Sequence, residues 1–362
     1  MLAGEGLTAF KRDDWHQQIK LFPAAINIGD YPIPTTEFLD LAPHEFVESQ
    51  LIHADYEVQF GPFQLDKLAE QSMLMLQCVE CHIDHADTLL RNEFSFLPAW
   101  QVDDTMASIG NDGASCGPHF DRYDVFLLQL TGTKTWRLDA SDHKDSDLQD
   151  NVALRLLKTF EPTTEILSRP GEVLYVPSGV GHHGICAGES VTLSIGIRNP
   201  TMIELLAEIS EFALLESELD ILDTELREQG ARIDSTSIMP LINQAISPRS
   251  MDIWYGCYVT RLRNPEVLCE YEANASDMAG DAIVDTEVTG AVAASRPTRL
   301  AWGDSGAEVL LFVNGEYYRF GPADKPWIVD FCDTRTFPVE PGHTDQLELA
   351  RELFETGAAH LI

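Results

Sequence analysis

The chain reads as mainly β with added helices: a sandwich or closed barrel of short strands, then a helical segment, then a small mixed domain. Three observations predict this. Between about Trp100 and Pro200 short apolar runs are broken by Gly, Asp and Pro. From Met202 the pattern changes to helical spacing. Near the end, Val309–Val313 and Glu316–Phe320 flank Asn314-Gly315, a dipeptide suited to a type I′ turn, and a last helix follows.

Taken in order, Thr35-Thr36-Glu37 opens a short helix through Leu41, and Pro43 opens another through Val47. Tyr56–Phe60 alternates like a strand and stops at Gly61-Pro62. From Leu65 to Leu90 the spacing of Leu68, Met73, Leu76, Val79 and Ile83 predicts a helix. Strands are expected at Thr105–Ile109, His119–Asp121, Val125–Leu130, Thr135–Leu138, Glu172–Val176 and Val191–Ile197, a spacing that suits a jelly roll of the cupin kind. Met202–Arg227 reads as a long acidic amphipathic helix, with further helix at Ile238–Ala245 and Met251–Arg263. Ala273–Ser295, rich in Ala, Asp, Gly and Thr, reads as a linker. Residues 296–362, with the hairpin and the helix Thr344–Phe354, fit a winged-helix-like domain.

At 362 residues the chain is long for one domain. Met1–Phe10 has no basic start followed by an apolar run, and no stretch approaches the roughly 20 apolar residues of a membrane span. Seven scattered cysteines do not form a disulfide framework, so the expected compartment is the cytoplasm. The formal charge of −35 repels phosphate backbones and argues against direct nucleic-acid binding. Two readings of that charge stay open: solubility, as in a salty habitat, or attraction to a basic protein partner.

The chemistry centres on Gly117-Pro118-His119-Phe120-Asp121 and, some way downstream, Gly179-Val180-Gly181-His182-His183. Residues two apart on a strand share a face, so His119 and Asp121 can hold one ion. A histidine from a distant strand completes a two-histidine, one-carboxylate triad, the pattern of non-haem Fe(II) oxygenases. Its open positions suit 2-oxoglutarate and dioxygen. An H-x-D tripeptide alone is common, and its bland reading is a loop histidine bonded to Asp121. The surroundings argue otherwise. Gly171–Pro177 forms a turn, a buried strand and a proline stop leading to the second histidine. Lys134, placed behind a turn Thr131-Gly132-Thr133 on a hairpin-linked strand, can supply the cation for the distal carboxylate of 2-oxoglutarate. Ser194 and Thr192 can add hydroxyls from one face. The bland alternative for Lys134 is a solvent-facing strand lysine.

The runs His119–Gln129 and Gly132–Arg137, with Trp100–Asp104 upstream and Ser194–Pro200 downstream, resemble the JmjC oxygenases. Within them the chain is similar to the bacterial ribosomal oxygenases, which hydroxylate an arginine of large-subunit ribosomal protein L sixteen. The resemblance implies a catalytic domain over 1–204, a helical dimerisation segment over 205–272 and a homodimer. It implies His119, Asp121 and His182 as iron ligands, Lys134 as the 2-oxoglutarate cation, and Ser194 and Ser108 as polar positions beside it. Of the adjacent histidines, His182 fits the family's P-x-G-x-x-H spacing and His183 then points away. One position departs: enterobacterial members carry arginine where this chain has Lys134, whereas the animal relatives, which modify histidines, carry lysine.

Other signals read as structural. Cys78-Val79-Glu80-Cys81-His82 matches a haem-attachment pattern, but it sits within an apolar helical spacing where cysteine behaves as a small hydrophobe. A zinc site using His82 and His85 has only one C-x-x-C to draw on. Cys116 and Cys186 read as pocket lining. The last helix sets Asp345, Glu348, Glu352 and Glu355 against Arg351 alone, which suits protein contact better than DNA. The expected reaction is protein hydroxylation, with arginine 3-hydroxylation favoured. Its rivals are a demethylase or histidine hydroxylase acting on another basic protein, and a non-catalytic cupin module.

Overall fold

The computed structural model describes residues 4–150, 152–198, 200–216, 248–271, 290–340 and 342–362. These form two compact units, Met1–Asn199 with Arg263–Glu270, and Pro200–Leu262 with Tyr271–Ile362.

In the first unit the helices are α1 (Gly4–Asp13), α2 (Thr35–Leu41) and α3 (Asp84–Glu93). Its strands are β1 (Lys20–Phe22), β2 (Ser49–Ile52), β3 (Val58–Phe60), β4 (Met73–Leu76), β5 (Val102–Gly110), β6 (Val125–Asp142), β7 (Thr164–Ser168), β8 (Val173–Val176) and β9 (Val180–Ile197). They build one antiparallel sheet of order β1-β8-β6-β9-β5-β4-β2-β3, with β7 on β6. The long strands β6 and β9 pair from Val125↔Gly196 to Asp142↔Val180 and form its spine. Early β6 is apolar on both faces because both are covered. Phe126, Leu128 and Leu130 pack on the core of the N-terminal helices, whereas Val125 and Leu127 turn the other way. Phe126 contacts the rings of Phe10, Phe94, Phe96 and Tyr175. Removing its ring costs about 3–5 kcal/mol.

The structure corrects five expectations. The helix expected from Pro43 through Val47 is only turns. Val125–Leu130 and Thr135–Leu138 are not a hairpin but parts of one strand, β6, with shifted register between Gln129 and Thr133. At that bend Gly132 has φ +63°, and a Cβ there would stand 1.9 Å from the Glu189 carbonyl oxygen, so the kink requires glycine. The helix expected over Leu65–Leu90 is strand β4, a 3-10 turn at Val79–Cys81, and α3 only from Asp84. Met73, Leu74 and Leu76 are buried within the sheet, and such short apolar runs do not distinguish strand from helix. His119–Asp121 is no strand; His119 forms an isolated bridge with His182. The end of the expected linker is a strand, β10 (Gly290–Ala294), while 273–289 lies outside the described residues.

In the second unit, α4 (Met202–Glu216) and α5 (Pro248–Thr260) are the described parts of the expected helical segment; 217–247 lies outside them. After β10 come β11 (Leu300–Ser305), β12 (Glu308–Val313), β13 (Glu316–Phe320), α6 (Lys325–Thr334), β14 (Thr336–Val339), α7 (Thr344–Glu355) and β15 (Ala359–Leu361). Two three-stranded sheets, β14-β10-β15 and β11-β12-β13, enclose Val292, Leu311, Phe331, Phe337 and Leu353. Asn314 and Gly315 both have positive φ, as the predicted hairpin turn requires.

Candidate metal centre and cosubstrate pocket

The bridge between His119 and His182 uses both backbone hydrogen bonds, His119 N to His182 O at 3.0 Å and His182 N to His119 O at 2.7 Å. It sets the two rings 4.3 Å apart. Asp121 is held in the same corner because its carbonyl accepts from Gly179 N at 2.9 Å. His182 Nε2 lies 3.5 Å from Asp121 Oδ2, and one ligand atom from each of the three side chains falls within 4.8 Å of the others. Among the described residues this is the one such cluster.

Each histidine aims Nδ1 at a carbonyl two residues back, His119 at Gly117 O (2.9 Å) and His182 at Val180 O (3.0 Å). A carbonyl only accepts, so Nδ1 carries hydrogen and the Nε2 lone pair is left for a metal ion. The donor set fits a divalent iron. Burial and the neighbouring His119 push His182 down to about 4, which keeps it neutral. Burial also works to lower His119, but Cys116, with Sγ 3.8 Å from its Nδ1, overrides this and lifts it to about 10. An ion binding there competes with a proton. His183, paired with Arg137 in the sheet, lies outside the cluster beside Phe160, 6.1 Å away, and burial pushes it down to about 4.

The cluster opens into a cavity of about 180 Å³ whose lining includes Lys134, Ser108 and Ser194. It deepens inward: the Asp121 side chain is 23% exposed, whereas Lys134 is 2% exposed. Lys134 Nζ donates to Ser108 Oγ at 2.8 Å and sits 5.3 Å above the Trp136 ring. Burial lowers its pKa, partly opposed by the nearby Cys186 and Cys116. Among the described residues no carboxylate pairs with it. A cation this deep without a counter-ion is costly, so the site is built to receive an anion. Ser108, which also reaches toward Thr192 O at 3.4 Å, holds the lysine in place. Thr192 does not line the cavity; its hydroxyl donates to Gln129 Oε1 at 3.0 Å, and the Gln129 amide donates to Ser190 Oγ at 2.8 Å. Cys116 lines the cavity, whereas Cys186 packs with Ile52, Met73 and Ala114.

Sequence reasoning passed over Asp104, Met106 and Tyr123, which complete the lining. The signal was alternation: Asp104 and Met106 share the strand face of Ser108. The Asp121 charge, then burial, raise the Tyr123 pKa strongly. Of the declined motif, Cys78 adopts a left-handed conformation ahead of the 3-10 turn, and His82 Nδ1 lies 3.5 Å from Glu270, which also pairs with His44 at 3.3 Å.

The JmjC domain model matches residues 89–205, which hold β5 to β9 and the His-Asp-His cluster. This chain carries a JmjC domain, and with it the Fe(II)- and 2-oxoglutarate-dependent dioxygenase chemistry of that class. Among named proteins, it is 28% identical over 279 residues to the ribosomal protein uL16 3-hydroxylase of Escherichia coli, covering 70% of this chain and 71% of that one. It is 29% identical over 230 residues to a probable ribosomal oxygenase of Haemophilus influenzae, covering 60% of this chain and 56% of that protein. The fold matches the E. coli ribosomal oxygenase YcfD solved with cobalt and 2-oxoglutarate, with a TM-score of 0.74, 22% identity and 98% of each chain covered.

Proposed function

We propose that the chain hydroxylates an arginine of a large-subunit ribosomal protein in the cytoplasm, with iron held by His119, Asp121 and His182. Bound there, iron with 2-oxoglutarate and dioxygen supplies the oxidising chemistry: a C–H bond becomes C–OH, and 2-oxoglutarate becomes succinate and carbon dioxide. The protein's own part is placement. Lys134, fixed by Ser108, receives the distal carboxylate of 2-oxoglutarate, and Ser194 lines the same cavity. The observation that carries this reading is the buried ammonium of Lys134, opening on the same cavity as the His-Asp-His cluster. In the cavity lining, the nearly buried Asp104 favours a cationic target over a neutral imidazole. That supports arginine, although Lys134 itself is shared with relatives that modify histidine.

We also propose the division 1–204 catalytic, 205–272 dimerising and 296–362 winged-helix-like, with Met202, Ile203 and Leu206 exposed on α4 as part of the face between two copies. Light scattering of the purified chain tests the dimer. The reaction is tested by mass spectrometry of ribosomal proteins from cells with and without the gene. An arginine of uL16 should gain the mass of one oxygen only when the gene is present. Fragment ions placing the oxygen on histidine, or formaldehyde release without it, would replace the arginine reading.

A further inference from the structure

We infer that Arg263, far beyond the last barrel strand in sequence, is a positioning residue for the cavity carboxylate Asp104 and thereby sets the preference for a cationic substrate side chain. The inference rests on the substrate reading above. Asp104 is 4% exposed and lines the cavity with Tyr123 and Gly196. A Cβ on Gly196 would stand 3.2 Å from Asp104 Oδ1 and 3.3 Å from Tyr123 Cε2, so the carboxylate and the phenol ring border the same small space. Arg263 Nη1 lies 3.1 Å from Asp104 Oδ2 and 3.5 Å from Asp103 Oδ2. Burial opposes the charge on Arg263, but Asp104 and then Asp103 override it and raise its pKa.

Arg263 lies against one oxygen of Asp104, Oδ2, while the other, Oδ1, is the one nearest Gly196 of the cavity lining. The Asp103 side chain is 26% exposed and that of Asp104 is 5% exposed. Without Arg263 the Asp104 carboxylate loses the contact that fixes which way it turns. With Arg263 in place, Oδ1 is held toward the cavity, where an incoming guanidinium can meet it. Arg263 is thus a fixed partner that keeps one carboxylate oxygen of Asp104 turned to the cavity.

The test measures binding to Fe(II)-loaded protein with 2-oxoglutarate and no oxygen, by calorimetry. The probes are a uL16 peptide containing the target arginine and the same peptide with citrulline, its neutral isostere. Wild type should prefer arginine at least tenfold. Arg263→Met should reduce that preference to within about threefold, and Arg263→Lys should restore most of it. The 2-oxoglutarate affinity read in the same titrations separates lost specificity from a lost fold; if Arg263→Met fails to fold, Arg263→Gln carries the test. An Arg263→Met protein that discriminates as well as wild type, or better, overturns the inference alone. A wild type that binds neither peptide, or both equally, overturns it together with the arginine reading.

Discussion

The contrast between Lys134 and the metal cluster divides the site into separable tasks. Lys134→Ala should leave iron binding near wild type, because none of the three converging ligand atoms is touched. The 2-oxoglutarate concentration needed for half-maximal turnover should rise at least about tenfold, since a desolvated carboxylate loses its cation. Turnover at wild-type 2-oxoglutarate levels would refute the assignment. The adjacent histidines give a second test. His182→Ala should abolish iron-dependent decarboxylation, whereas His183→Ala should retain it. His183 has its own signature, because its pKa is pushed from the ordinary value to about 4. A histidine held neutral by the fold contributes stability above pH 6.5 that is lost as pH falls toward 4. His183→Gln should remove that loss, on the order of 2 kcal/mol after discounting partial exposure. Equal acid sensitivity in urea melts of both proteins would exclude it.

At the scale of elements, the two segments bearing the His-Asp-His cluster are tied together by Asp124, just before β6. Its carboxylate accepts from Ser178 N at 2.9 Å and from the Tyr175 hydroxyl, and pairs with His16 at 2.6 Å, while its carbonyl accepts from Ile197 N at 2.9 Å. One residue thus links the loop after Asp121, the turn before His182, the end of β9 and the N-terminal segment. Asp124→Asn should destabilise the fold by about 2–3 kcal/mol in urea titrations and also weaken iron binding. Lower stability with undiminished iron affinity would show that Asp124 supports the fold but not the centre. Much of this architecture was legible. H-x-D, the glycine-rich approach to His182 and Lys134 pointed to side chains that the fold brings to one cavity, because candidate ligands are read from residue type. The course of β6 was not legible. Thr131-Gly132-Thr133 is good turn chemistry, and only the Glu189 carbonyl opposite shows that the glycine serves a bend within a strand. That bend changes phase: Val125 and Leu127 line the cavity before it, Lys134 and Trp136 after it. Odd positions give way to even ones, so simple alternation could not be carried from Val125 through to Lys134. Arg263 was invisible for another reason, since its partners precede it in sequence by more than a hundred residues.

Across the whole molecule, the net charge of −35 acts over distances beyond any single contact. If a basic ribosomal protein is the substrate, long-range attraction speeds encounter and salt screens it. Turnover of uL16 should fall as salt rises from about 0.05 to 0.5 M, while decarboxylation without protein substrate changes little. Parallel decline of both rates would assign the effect to the enzyme's own stability instead.

The inward deepening of the cavity also imposes a queue. Lys134 is buried, Asp121 of the His-Asp-His cluster is partly exposed, and a protein chain seated over the cluster covers what lies beneath. The small dicarboxylate must therefore arrive before its large co-reactant, and succinate must wait until the modified protein has departed. Steady-state kinetics make that order visible: succinate should compete with 2-oxoglutarate but not with the protein substrate. If the two substrates instead bind in either order, a second passage to Lys134 exists. The last traveller in is the first one out.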